Sequence, residues 1–351
     1  MPEIRSCRAS LRVLLTALIG AFWLGPVAQA GTIEPPLHML FSGKNRLVVG
    51  TVKEINPPNR IVFEREKVFG DHADVPDLVD LLADTSAVKS VALGDRYVFA
   101  YSMYVRDKRA PGGYVNNKKN AMILSSPGLE PALLNDSKTL QAILSASDTE
   151  AKRDSRPLLG LMLGTLKGDD PQLRGLAAAQ IALDADLGKL LSNKDRILIR
   201  NAAENPEYST ETRRILLQAS YQYPDLYGNW WLPAAKKILA TTPLGGYPEG
   251  ALDPTGLVLL AFGVVEKPEA QLPIDSIARW LRSPQPLFRE LSLALLGSKF
   301  PGQKREVMEK VLNDPALNTE SRKYLDDQLR RLDQQQAEKA AHEQGTERSK
   351  N

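Results

Sequence analysis

The sequence predicts an α+β protein, a small β domain followed by an α-helical array. Three observations predict it. Between Arg46 and Ser126 the informative stretches are rich in β-branched residues and alternate with period two. From about Asp136 to Gln344 the period is helical and helix-start signals recur. Proline and glycine punctuate the change between Leu129 and Ser137.

Arg5, Arg8 and Arg12 form a basic start, the run Val13 to Leu24 is apolar except for Thr16 and Gly20, and Ala28-Gln29-Ala30 supplies a small-x-small site. This is the pattern of a secretory signal. The apolar run is short of the ~20 residues needed to cross a bilayer, and Gly25-Pro26 ends it. We expect cleavage after Ala30, a mature chain that starts at Gly31 without a membrane span, and a periplasmic or secreted location. A lipoprotein needs its cysteine just after the apolar run, whereas the one cysteine, Cys7, precedes it. Cys7 leaves with the signal, so disulfides, thiolate metal sites and cysteine nucleophiles are excluded from the mature chain. Residues 1–30 hold three basic side chains and one acidic, which leaves 42 of 45 against 41 of 42. Such a balance gives no global field for nucleic acid or an anionic membrane. The expected divisions are a signal over 1–30, a β domain over 31–130, a helical domain over 136–330, and a frayed helix end with a disordered tail over 331–351.

Within the β domain, Leu47 to Ile55 reads as a first strand and Asn56-Pro57-Pro58-Asn59 as the turn to a second, Arg60 to Val68. Asp74-Val75-Pro76-Asp77 followed by Leu78, Val79, Leu81 and Leu82 reads as a short helix, with proline and acids suited to its first turn. After Gly94-Asp95 comes a strand with Tyr97, Phe99, Tyr101, Met103 and Val105 on one face and Val98, Ala100, Ser102 and Tyr104 on the other. Both faces are apolar, so it is expected to be central. Ala121 to Leu124 reads as the last strand.

The segments Leu47-Val48-Val49-Gly50-Thr51-Val52, Arg60-Ile61-Val62-Phe63 with Val68-Phe69-Gly70, and Leu93-Gly94-Asp95-Arg96-Tyr97-Val98-Phe99 resemble secreted bacterial domains with an OB-like barrel. Those domains in turn resemble the inhibitory domain of tissue inhibitors of metalloproteinases. The similarity covers about eighty residues and implies a fold, a small OB-like β-barrel. It does not carry the inhibitory activity. Such inhibitors chelate the protease metal through an N-terminal cysteine, and this chain is expected to begin Gly31-Thr32-Ile33.

In the helical part, Asp170-Pro171 and Asp253-Pro254 each place a cap and a proline at a helix start, and Ser209 and Asn318 look like further caps. Asp195 to Ala203, Trp230 to Ala240, Ile274 to Leu281 and Gln303 to Leu312 serve as partner helices, which gives four helical pairs. Arg174-x-x-Ala177-x-x-x-Ile181 recurs as Arg289-x-x-Ser292-x-x-x-Leu296, with Arg213 between them. The segment therefore resembles HEAT-like repeats that stack helix pairs into a solenoid. Uneven spacing makes the repeat degenerate and leaves an irregular helical bundle open.

Candidate chemistry is sparse. The histidines are His38, His72 and His342, and the chain contains no Gly-x-Ser-x-Gly, phosphate-loop or His-Glu-x-x-His pattern. No cofactor is expected, and an enzyme would need carboxylates such as Glu64 or Glu66 to meet in a cleft. The one metal-like spelling is Asp71, His72 and Asp74, with Asp77 nearby, although loops and helix starts collect such residues anyway. Arg106, Lys108, Arg109, Tyr114, Lys118 and Lys119 make a basic loop that either holds a polyanion or forms a solvated hairpin tip. Tyr221, Tyr223, Tyr227, Trp230 and Trp231 form either an exposed platform for a sugar or protein, or a buried wedge between helices. The expected function is a non-enzymatic binding or scaffold protein with an unidentified protein partner, with no nucleic acid as partner. The alternative is a binder of an anionic cell-wall glycan or other polyanion through the loop 106–119.

Overall fold

β-Branched and aromatic residues at alternate positions build the N-terminal part. The computed structural model describes residues 33–70, 72–105, 119–147, 155–268 and 270–348. Its strands are β1 (Asn45–Asn56), β2 (Arg60–Phe69), β3 (Leu78–Leu82), β4 (Arg96–Val105), β5 (Lys119–Ile123) and the short β6 (Leu133–Asn135). They pair in the order β1-β2-β3-β5-β4, and β4 pairs back onto β1, so five strands close a mixed barrel while β6 extends β4. β3 and β5 run parallel and the other pairs antiparallel. Val48, Val52, Ile61, Phe63, Val79, Leu81, Phe99 and Tyr101 fill the interior, and Phe63 stacks on Phe99 with centroids 4.2 Å apart. Gly50 lies at an irregularity in the β1–β2 register. A Cβ there would stand 2.7 Å from the Glu64 carbonyl oxygen and 3.2 Å from the Phe99 ring.

Leu78–Leu82, expected as a helix, is strand β3. Val79 and Leu81 point into the barrel while Leu78 and Asp80 face out, and the parallel pairing Leu81 with Ala121 and Leu82 with Met122 closes the ring. The helix between β3 and β4 is instead α2 (Thr85–Ser90), whose first turn is capped by Asp84 accepting from the Ala87 amide. β4 is central as expected. Tyr97, Phe99 and Tyr101 are buried on the inner face and Val98 and Ala100 on the outer.

That outer face, with Leu47 and Val49 of β1, is buried as well, apart from the cluster that fills the barrel. α1 (Pro36–Leu40) packs on β1 and on α5 (Pro171–Leu183). The Leu37 amide donates to Oε1 of the fully buried Gln180 at 2.9 Å. Gly128 (φ +76°) meets α5 backbone to backbone, and a Cβ there would stand 2.2 Å from the Gly175 carbonyl oxygen. With α3 (Lys138–Ser147), α4 (Arg156–Lys167) and α6 (Ala185–Lys189), these elements form one compact unit that ends at Leu190. The strand-to-helix change near 129–137 is therefore not where contacts thin out.

The second unit, from Leu191 on, contains α7 (Asn193–Glu204), α8 (Thr210–Gln222), α9 (Pro224–Tyr227), α10 (Trp231–Thr241) and α11 (Thr255–Val265). It continues with α12 (Ile274–Ala278), a 3-10 turn Arg279–Arg282, α13 (Pro286–Lys299), α14 (Lys304–Leu312) and α15 (Thr319–Arg348). α15 runs as helix through Gln334-Gln335-Gln336 to Arg348, over the stretch expected as a frayed helix end. Its Gln, Ala, Glu, Lys and Arg content favours helix without a core.

An arginine device recurs in both units. The fourth residue of α5, α8, α13 and α15 is Arg174, Arg213, Arg289 and Arg322. Each donates to carbonyls at the end of the preceding helical segment: Gly168, Ala203, Ser283 and Leu312 respectively. At the end of α10 the role passes to Arg279, which reaches Leu239 at 2.7 Å and Thr242 at 3.0 Å. Helix C-termini leave carbonyls unpaired and carry the negative end of the dipole, so a forked cation satisfies both needs.

Candidate functional site

Arg106, Lys108, Arg109, Tyr114 and Lys118 lie outside the described residues. Lys119 opens β5 and pairs through its backbone with Val105 at the end of β4. At that end Met103 is 46% exposed. Beneath it burial pushes the Tyr101 hydroxyl up to about 12, assisted by the Asp74 carboxylate.

The outward residues of β2 and β3 are Arg60, Val62, Glu64, Leu78, Asp80 and Leu82, opposite the buried Ile61, Phe63, Val79 and Leu81. Arg60 pairs with Asp80, and Lys53 with Glu64 at 2.7 Å. This stretch carries no aromatic face, so it offers bases nothing to stack on. The two glutamates considered for catalysis are both engaged in ion pairs, Glu64 by Lys53 and Glu66 by Arg96 at 2.8 Å.

Of the metal-like spelling, Asp71 lies outside the described residues. Asp74 receives Arg46 on both carboxylate oxygens at 2.9 Å, and that bond holds its pKa below the usual carboxylate value. Asp77 pairs with Arg65. Among the described residues no three His, Cys, Asp or Glu side chains gather where they could hold a metal ion.

The five aromatic residues do not form one exposed platform. Tyr227 is 1% exposed, and Trp230 and Trp231 are buried with it. Gly228 at φ +94° turns the chain after α9, so that Trp230 Nε1 donates back to the Tyr227 carbonyl at 2.9 Å. Three of the rings are thus core. Tyr223 is 55% exposed, and half-buried Tyr221 meets Trp231 edge-on at 5.5 Å. The Lys267 ammonium sits over both rings, 4.3 Å from the Tyr221 centroid and 5.3 Å from that of Trp231.

Sequence spacing singled out Arg174, Arg213 and Arg289 as repeat markers, and all three belong to the capping device. It missed Arg279 and Arg322, and it missed Lys267 because nothing local ties that lysine to rings about forty residues earlier. Arg289 is 4% exposed, donating to the Ser283 and Pro284 carbonyls at 2.8 and 3.0 Å and facing the Tyr324 ring. Comparison of the chain with protein-family models, curated proteins and solved structures gives no match.

Proposed function

We propose that the chain is an exported, non-enzymatic binding or scaffold protein that acts through protein contacts in the periplasm or outside the cell, and that its helices form a degenerate HEAT-like array. The observation that carries this reading is the recurrent arginine at the fourth position of α5, α8, α13 and α15. A repeated junction between helical segments is what a stacked array needs, and such arrays expose long surfaces for partners. Ile197 and Tyr223 stand exposed on the second unit and supply apolar contact points. The barrel's strand order, 1-2-3-5-4-1, supports the OB-like reading.

The run of bases Arg106, Lys108, Arg109, Lys118 and Lys119 in the sequence supports a second reading, an anionic cell-wall glycan or other polyanion held by charge. One experiment separates the two. The exported protein is cross-linked in the periplasm and its partners recovered, with the wild type, an array variant (Ile197→Asp with Tyr223→Ser), and a loop variant in which Arg106, Lys108, Arg109, Lys118 and Lys119 become glutamine. The array variant is expected to lose the protein partner and the loop variant to keep it. Loss of the partner through the loop changes alone would overturn the proposal. Retention of wild type on heparin at low salt, abolished in the loop variant, would favour the polyanion.

A further inference from the structure

The lysine on the aromatic corner points to a site of defined chemistry. Tyr221 lies in the last turn of α8 and Trp231 opens α10, and their rings stand at 79° to one another. Two ring faces turned toward one point make a small receptor of negative quadrupole, the arrangement that holds alkylated ammonium groups. Here the point is taken by the chain's own ammonium, from Lys267 just beyond α11. Among the described residues no carboxylate pairs with it, so its electrostatic partners there are the two rings. The backbone that carries it is pinned separately, because Lys299 Nζ donates to the carbonyls of Lys267 and Ala270 at 2.6 and 2.9 Å. The lysine side chain, half-buried on a flexible four-carbon stem, therefore leaves the corner without disturbing the turn.

We propose that the Tyr221–Trp231 corner is a binding site for organic cations that Lys267 occupies from within, and that an ammonium group presented from outside exchanges with it. This deepens the protein-contact reading, since a lysine or arginine on a partner would be such a group. The tethered Lys267 has the advantage of a high effective concentration at the corner, so the remainder of a partner's contacts must supply what displaces it.

The test uses the whole mature chain and tetramethylammonium chloride, observed through saturation transfer to its methyl protons. Lys267→Ala, a surface change, is expected to raise the transfer at least about threefold over wild type, because it vacates a place where ring contacts hold a cation. Lys267→Ala combined with Tyr221→Leu is expected to return it to the wild-type level, with circular dichroism checking that the double variant is folded. Should that variant not fold, Lys267→Arg replaces it and is expected to match wild type, since it refills the corner with a cation. Equal transfer in wild type and Lys267→Ala, or transfer that survives loss of the Tyr221 ring, overturns the proposal. A lysine-containing peptide competing with tetramethylammonium, where its norleucine counterpart does not, assigns the site to a basic side chain. Competition by neither peptide confines it to small quaternary cations. None of these outcomes depends on recovering a protein partner, so they fail or succeed apart from the pull-down.

Discussion

At the scale of single residues, the positions that matter most are those where one atom has no room or no alternative partner. Gly128 is such a place, with φ +76° and a Cβ position 2.2 Å from the Gly175 carbonyl oxygen. Gly128→Ala should destabilise by about 2 kcal/mol or more, because strain and overpacking add, and thermal unfolding would read it. Arg289 is another. Arg289→Ala takes one of two donors from the Ser283 carbonyl, which keeps the Ser321 hydroxyl at 3.1 Å, and removes the Arg289 bond to the part-buried Pro284 carbonyl along with the packing of a 4% exposed side chain, and the expected loss is about 2 to 3 kcal/mol in denaturant unfolding. A loss as small as that of an exposed Lys323→Ala would deny Arg289 its structural role. Burial, reinforced by nearby acids, also raises the hydroxyls of Tyr101, Tyr247 and Tyr324 to about 12. Their folded values lie above the ordinary 10.0, so the stability they contribute is complete below pH 10 and drains away between about 10 and 12. Phenolate absorbance should lag behind that of free tyrosine until the protein unfolds. On the acid side, Asp84 is lowered by the Ser86 hydroxyl and the Ala87 amide. It therefore stabilises above the ordinary carboxylate range and ceases to as pH falls through its own lower value.

Helix termini show what a short stretch of sequence decides and what it does not. Asp170, Ser209 and Asn318 were legible as caps because a cap bonds amides two or three residues ahead, and all three do so. α7 carries the full reciprocal box, with the Ser192 hydroxyl accepting from the Asp195 amide while the Asp195 carboxylate accepts from that of Ser192. Ser192→Ala should cost about 1 kcal/mol, and amide exchange would place the loss in the first turn of α7. β3 was not legible, since Leu78-Val79-Asp80-Leu81-Leu82 fits either period over so few residues. Its choice is made by β2, which pairs with it along its whole length, and by Ala121 and Met122, about forty residues on. The same distance hid the cap of α10 by Arg279, and the burial of Trp230 and Trp231 was open between two readings in the sequence. In each case the deciding partner is set by tertiary packing, which local spacing does not encode.

For the molecule as a whole, period foretold a β domain followed by helices and the resemblance implied that the β domain is a barrel, while the place where the chain divides comes from packing. The first four helices after the barrel cluster with it, and the contact boundary falls between Leu190 and Leu191. The reasons are specific: Gly128 against Gly175, the Leu37 amide on Gln180, and the buried outer residues Leu47, Val49, Val98 and Ala100 of β1 and β4. A barrel cut off at residue 135 would strip α1, with its buried Leu37 and Leu40, of its partner on α5. Burying each such side chain is worth about 1 to 3 kcal/mol, and a domain's whole margin is about 5 to 15 kcal/mol. We therefore expect a fragment 33–190 to be soluble with a cooperative melt, a fragment 33–135 to aggregate or bind a hydrophobic dye, and a fragment 191–348 to melt cooperatively without the barrel. A fragment 33–135 that melts as sharply as 33–190 would show that the helices contribute nothing to the barrel, and the division at Leu190 would lose its physical basis.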